Sequence, residues 1–337
     1  MKKSLMIFSI IFVLFFSMAA SVLGTKVLSQ QQITNDGWEH KYPDVYGNII
    51  VWDDFRDDNH NIYGYNLLTN QEFLIAADIN GDENSFNDGY PAIWGDYVTW
   101  AQDGKISIYN LKTKQVKLVG EGYAFPPDIF EDTVVWEESF EIFAYNLKTG
   151  DVRNLGDGSY PAINGDIVVW ANGNYIYGFN LKSSTTPFLI RDGTNVGNPA
   201  IYGDIVVWEE GGDYKIWKHN LKTGEQVPIS PSYSSYPSIY GDIVVWVYDL
   251  GDEYYINGYN LKTGQEFLIR DSEGNYLDYT AIYCGRVVWY ESADTSNGEH
   301  YQIFLANLDV VCEEAKNKPL PMDWILKKFG LGKFKNN

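Results

Sequence analysis

The chain has 337 residues with 25 basic and 45 acidic side chains, a formal net charge of −20, and 26 tyrosines beside 11 tryptophans. That charge repels phosphate backbones and anionic lipid, which sets nucleic acid aside and leaves cations, basic proteins and neutral glycans as partners. The four histidines are scattered, with none at metal-ligand spacing from another, which sets a zinc centre aside.

Residues 1–24 read as a secretory signal peptide: Lys2 and Lys3, an apolar stretch over 5–16, then small residues at Ala19, Ser21 and Gly24. A retained anchor is the alternative, although the apolar run falls short of the about 20 residues that a bilayer span needs. The expectation is an exported protein, secreted or at the cell surface, with a periplasm as the other compartment.

From 25 to 312 the chain repeats. Short apolar runs end at Trp52, Trp100, Trp136, Trp170, Trp208, Trp246 and Trp289, spaced 34 to 48 residues apart. Each is followed by an Asn-Leu pair, at Asn66, Asn110, Asn146, Asn180, Asn220, Asn260 and Asn307. The fifth copy shows the unit: a Pro-led strand over 199–202, a Gly203-Asp204 turn, Ile-Val-Val-Trp over 205–208, a third strand into Asn220-Leu221, a Lys-Thr-Gly hairpin, and a fourth strand from Glu225. Ile-Val-Val-Trp is apolar at every position, so both faces of its sheet must be covered. Sheets packed face to face in a ring meet that demand, which predicts an all-β, seven-bladed β-propeller of four-stranded blades. An open solenoid of strands is the competing architecture.

The seventh copy has no fourth strand after Asn307-Leu308. Residues 26–34 resemble the fourth strand of the fifth copy, and are expected to complete the last blade and close the ring. Cys284 replaces a turn glycine and Cys312 follows the third strand of the same copy, which places them for a disulfide; two free buried thiols are the alternative. Residues 313–337 form a basic amphipathic tail with Trp324, Phe329 and Phe334 among lysines. It reads either as docking back on the propeller or as attachment to a partner or membrane surface.

One end of the predicted propeller carries monotonous turns, whereas the other carries the irregular loops, where ligand sites belong. Aromatic residues precede or replace the strand-leading proline at Tyr42, Tyr90, Phe125, Tyr160, Tyr236 and Tyr279. They would ring one mouth of the channel, either stacking on sugars and cations or simply plugging it. Acidic residues, among them Asp53, Asp54, Glu137, Glu138, Glu209, Glu210 and Glu291, are expected to crowd the same rim. A glycosidase pair is disfavoured, because Glu137 and Glu209 stand two blades apart, about 19 Å by ring geometry, against the about 5–9.5 Å such a pair requires. Asp78, Asn80 and Asp82 follow the first half of a calcium loop, but Glu83 and Gly89 depart from it, so a solvated acidic turn competes with a calcium site. No nucleophile elbow or phosphate loop is present in the sequence.

The copies resemble the repeats of TolB-like propellers and, more closely, those of archaeal and bacterial cell-surface proteins. The first copy carries the match at Pro43, Gly47, Val51, Trp52, Asp54, Arg56, Ile62, Tyr63, Asn66, Leu67 and Thr69. The third copy departs with Glu131-Asp132 for Gly-Asp, and the seventh with Thr280 for proline. The resemblance implies surface location and interaction with other molecules, with no shared catalytic set. The expected function is therefore a non-catalytic binding protein for a protein or glycan. A metal-assisted polysaccharide lyase and a structural surface-layer component are the alternatives.

Overall fold

The computed structural model describes residues 24–56, 59–77, 79, 89–102, 104–120, 126–295, 298–310 and 312. The Ile-Val-Val-Trp runs and their counterparts are the second strands of seven four-stranded antiparallel sheets. Blade 1 pairs His40–Tyr46, Ile49–Asp54, Asn61–Asn66 and Gln71–Ala76 in that order. Blades 2 to 6 repeat the arrangement over 89–119, 128–157, 159–192, 197–228 and 234–271. Blade 7 consists of Leu277–Tyr283, Arg286–Thr295, Gly298–Leu308 and, antiparallel to the last of these, Val27–Gln32. Each inner strand lies against the inner strands of both neighbouring blades, and that of blade 1 lies against that of blade 7. The fold is a seven-bladed β-propeller.

The Ile-Val-Val-Trp runs show why none of their own positions is polar. Side chains alternate across a strand, and here each face meets a different neighbour. In blade 3, Val134 and Trp136 pack on blade 2 with Ala92, Ile106 and Ile108, while Val135 packs on blade 4 with Ile163, Val168 and Trp170. The same division recurs at the other interfaces, and all seven tryptophans are 0–1% exposed. A buried aromatic of this size supplies more apolar burial than any other single residue of the repeat.

The Asn-Leu signature closes the outer hairpin. Asn146 Oδ1 accepts from the amides of Lys148 and Thr149, both at 2.9 Å, and its carbonyl accepts from Gly150 at 2.8 Å. Leu147 donates its amide to Asp132 in the preceding turn at 2.7 Å. Asn307 has no hairpin to close, and its side chain donates instead to Ser29 Oγ at 3.0 Å. In the third strands, Gly64, Gly178 and Gly258 lie under the rings of Phe73, Phe188 and Phe267, which leave no room for a Cβ.

Cys284 and Cys312 are joined by a disulfide, with Cα atoms 4.9 Å apart. By loop length the bridge is worth about 3–4 kcal/mol. The Cys284→Ser/Cys312→Ser double variant should therefore lose about that much in urea unfolding. Removing residues 25–34 strips the outer strand from blade 7 and should lower the melting temperature by roughly 5 °C or more, since about 1 kcal/mol shifts a domain of this size by at least about 2 °C. An unchanged melting temperature would show that this strand does not fasten the ring.

Candidate functional site

The inner strands enter the ring through a bulge. Register shifts interrupt their pairing just before the proline position, between Lys41 and Asp44 in blade 1 and at the equivalent places in blades 2, 4, 5, 6 and 7. The residue in the bulge takes a left-handed conformation: Tyr42, Tyr90, Tyr160, Asn198, Tyr236 and Tyr279 have φ between 43° and 56°. Non-glycine residues held there cost roughly 1–3 kcal/mol each, so the surrounding structure must enforce the geometry.

Part of that enforcement comes from the acid after the tryptophan in blades 3 and 5, which faces the following blade. Glu209 Oε1 accepts from the Tyr236 amide at 2.6 Å and from Asn198 Nδ2 at 2.9 Å. Glu137 accepts from Ser159 and from the Tyr160 amide, and the Asp53 carboxylate lies against Gly89, next to Tyr90. Acids in blades 3 and 5 thus brace the bulges of blades 4 and 6, and Asp53 of blade 1 lies against that of blade 2. Burial raises the pKa of Glu137 and Glu209 and pushes Asp53 up to about 6, although His60 Nδ1 lies 3.2 Å from Asp53 Oδ2.

The next residue faces the other way, towards the tryptophan's own interface. Asp54, Glu138, Glu210 and Glu291 accept from the indole N–H of Trp52, Trp136, Trp208 and Trp289 at 2.9–3.1 Å. Arg191 and Arg270, from the outer strands of the preceding blades, bind Glu210 and Glu291. His40, fully buried, sits 2.8 Å from Asp36 and 2.9 Å from Asp54; burial opposes its charging, but the two carboxylates outweigh that and raise its pKa. Asp54, Glu210 and Glu291 are therefore withdrawn from the rim that the sequence assigned to them, because strand alternation sends them between blades.

The tyrosines gather at the mouth. Tyr42 stacks on Tyr90 at 3.9 Å and meets Tyr279 edge to face at 5.7 Å, and Tyr279 lies 6.1 Å from Tyr236. Tyr42, Tyr90 and Tyr279 are half-buried by these contacts, whereas Tyr160 is 60% and Tyr236 38% exposed. Phe125, Asp78, Asn80 and Asp82 lie outside the described residues. Deeper in the ring, Asp44 and Asp128 each bridge two inner strands, accepting from Ile93 and Ile163 of the next blades at 2.8 Å. Burial pushes Asp44 up to about 7 and Asp128 up to about 6.

A second aromatic ring, not anticipated from the sequence, closes the far end. Phe130, Trp94, Tyr46, Tyr283, Tyr240 and Tyr202 form an unbroken series with centroids 4.2–4.7 Å apart. Asn164 fills the remaining blade and accepts from Gly203 N at 2.9 Å. The signal was present: each of these residues immediately precedes the inner turn.

The two ends differ in chemistry. Among the described residues the exposed aromatic side chains are Trp38, Phe140, Tyr160, Tyr175, Tyr214, Tyr233, Tyr236 and Tyr276. Every one lies at the end where the inner strands begin. At the opposite end, Lys112, Lys148, Lys182, Lys222 and Lys262 pair with the turn aspartates of their own blades. A cleft of about 250 Å³ beside the disulfide is lined by groups that already satisfy one another, including Asn260 with Thr25 and Asp309 with the Lys26 amide. Among the described residues no three His, Cys, Asp or Glu side chains converge as metal ligands.

No family model and no curated protein matches the chain. Solved propellers do. The β-propeller domain of the Trilobed protease from Pyrococcus furiosus superposes with a TM-score of 0.63 at 12% identity, covering 84% of this chain and 99% of that one. Oligogalacturonate lyase from Vibrio parahaemolyticus gives 0.58 at 14% identity, covering 84% and 96%. TolB from Acinetobacter baumannii is also among the neighbours, at 0.45 and 13% identity, covering 80% and 79%. At these identities the likeness is one of fold, that of a β-propeller.

Both hydrogen bonds to Glu209 end on Oε1, so Glu209→Gln retains them and removes only the charge. A carboxyl whose folded pKa is raised favours the native state most below its unfolded value, and that advantage fades as pH rises through the folded value. The Glu209→Gln variant should therefore gain stability relative to wild type as pH rises from 4 to 8. Parallel urea titrations would show it as a widening gap; a constant difference would mean Glu209 is no more protonated when folded.

Proposed function

We propose that the protein is exported and acts as a non-catalytic binding protein, presenting the aromatic, acidic end of its propeller to a protein or glycan at the cell surface. The observation that carries this reading is the confinement of the exposed aromatic rings to one end. Solvent-facing Tyr and Trp are costly to leave uncovered and supply rigid contact area when covered. Two of them, Tyr160 and Tyr236, sit on bulges whose strain recurs from blade to blade, a device characteristic of sites that present side chains. The lysine–aspartate turns of the other end offer neither feature.

The exposed carboxylates of that end, Asp213, Asp249, Glu253, Asp271 and Glu273, favour neutral or basic partners. A polysaccharide lyase acting on an acidic glycan would have to overcome that charge, and the fold likeness to oligogalacturonate lyase supplies no residues for the chemistry. A surface-layer role is compatible with the same end serving as a contact between proteins.

The test is a binding screen of the purified protein against glycans, cell-wall polysaccharides and envelope proteins, with and without calcium because of Asp78, Asn80 and Asp82. Saturable binding is expected, weakened roughly 10-fold or more by Tyr160→Ala with Tyr236→Ala, in line with the loss of two stacking rings. A partner retained at full affinity by that double variant would move the binding face elsewhere.

A further inference from the structure

Where blades 6, 7 and 1 meet, tyrosines from separate elements surround the carboxylate of Asp278. Tyr276 OH and Tyr290 OH donate to Asp278 Oδ2 at 2.8 and 3.3 Å, and the Tyr279 amide donates to Oδ1 at 2.8 Å. Successive rings stand nearly at right angles. Tyr254 meets Tyr276 at 67° and 5.0 Å, Tyr276 meets Tyr301 at 61° and 5.6 Å, Tyr301 meets Tyr290 at 69° and 5.5 Å, and Tyr290 meets Tyr42 at 81° and 5.7 Å. Tyr276 is 37% exposed, so solvent reaches the group.

This arrangement differs from the rest of the mouth. Rings turned against one another form the walls of a box and give no flat platform for a sugar, and the phenols already occupy the carboxylate oxygen that a sugar hydroxyl would seek. Among the described residues Asp278 has no ion-pair partner, and burial raises its pKa, the mark of a carboxylate lacking a countercharge. The rings already attract the chain's own ammonium. Lys41 Nζ lies 4.6 Å from the Tyr301 centroid while paired with Glu39 at 2.6 Å.

We propose that Tyr254, Tyr276 and Tyr301, beside Asp278 and with the buried Tyr290 beneath them, bind an alkylammonium group carried by the partner. The π faces take its methyl or methylene groups and the carboxylate its charge, a combination worth more than either alone once water is displaced. The inference deepens the reading of this end as a binding face and rests on it. A quaternary ammonium and a lysine side chain share this chemistry, and the probes separate them.

Ligand-observed NMR titrations of the full protein would use choline for the first source and n-butylammonium for the second, with 3,3-dimethyl-1-butanol as choline's uncharged isostere. At least one cation should bind roughly tenfold more tightly than the neutral isostere. Asp278→Asn and Tyr276→Leu should each weaken it at least about fivefold. Tyr276 is at the surface, so its variant tests the box even if Asp278→Asn unfolds. Equal binding of cation and isostere, no binding of either cation, or full binding by Tyr276→Leu would overturn the proposal. A partner from the screen that binds Tyr276→Leu and Asp278→Asn undiminished would overturn it too, while leaving the binding face intact.

Discussion

Every blade of this protein is a sheet with no free face, and that constraint organises the rest. A second strand that must pack on both sides carries an unpaired polar group only at a cost. The seven tryptophans fill one side of each interface, and valines from the neighbouring second strand, with Ala101 in their place in blade 2, fill the other. Alternation alone then commits the two residues after each tryptophan. The first turns to the next blade and the second returns to the tryptophan's own side.

That parity converts a pair of acids into two distinct structural devices. Glu209 braces the bulge of the following blade by accepting from its backbone, whereas Glu210 takes the indole proton of Trp208 and the guanidinium of Arg191. The first device holds tyrosines in a conformation they would not adopt unaided. The second ties an outer strand to the next blade through a charge pair, whose geometry matters more to the register of the two sheets than its net energy. Blade 6 shows the interface without it: Tyr248 stands where the acid would be, and the Trp246 indole N–H has no partner among the described residues.

Much of the fold was legible in the sequence because a repeated unit announces itself through spacing, and the Trp and Asn-Leu marks recur where the core and the hairpins need them. The aromatic mouth was legible for the same reason, since the tyrosines precede a recurrent proline. The acids are misplaced by sequence alone because Trp looks like the end of a strand, whereas Ile205–Glu210 runs on through both glutamates. The far aromatic ring was not legible although Tyr46, Trp94 and Tyr202 each precede a Gly-Asp or Gly-Asn turn; nothing in one copy reveals that six aromatic residues and Asn164 converge on an axis. The Asp278 box was beyond reach, because Tyr254, Tyr276, Tyr290 and Tyr301 belong to different strands and loops and share no spacing.

A ring of similar blades offers the same surface seven times, so a particular ligand is recognised only where copies diverge. Position by position, the divergence concentrates at one junction. Before the mouth tyrosine the other described blades have Lys41, Gly89, Ser159, Gly197 and Ser235, and only blade 7 has an acid, Asp278. After the tryptophan the other blades have Asp, Ala, Glu or Val, and only blade 7 has an aromatic ring, Tyr290. Neither change serves the interface chemistry that the repeats share: Tyr290 cannot brace a bulge as Glu209 does, and Asp278 has no countercharge. Both changes meet in one hydrogen bond, between Tyr290 OH and Asp278 Oδ2. Two departures that satisfy each other, beneath the exposed Tyr276 and at a cost in buried charge, are what a site grafted onto a repetitive scaffold requires.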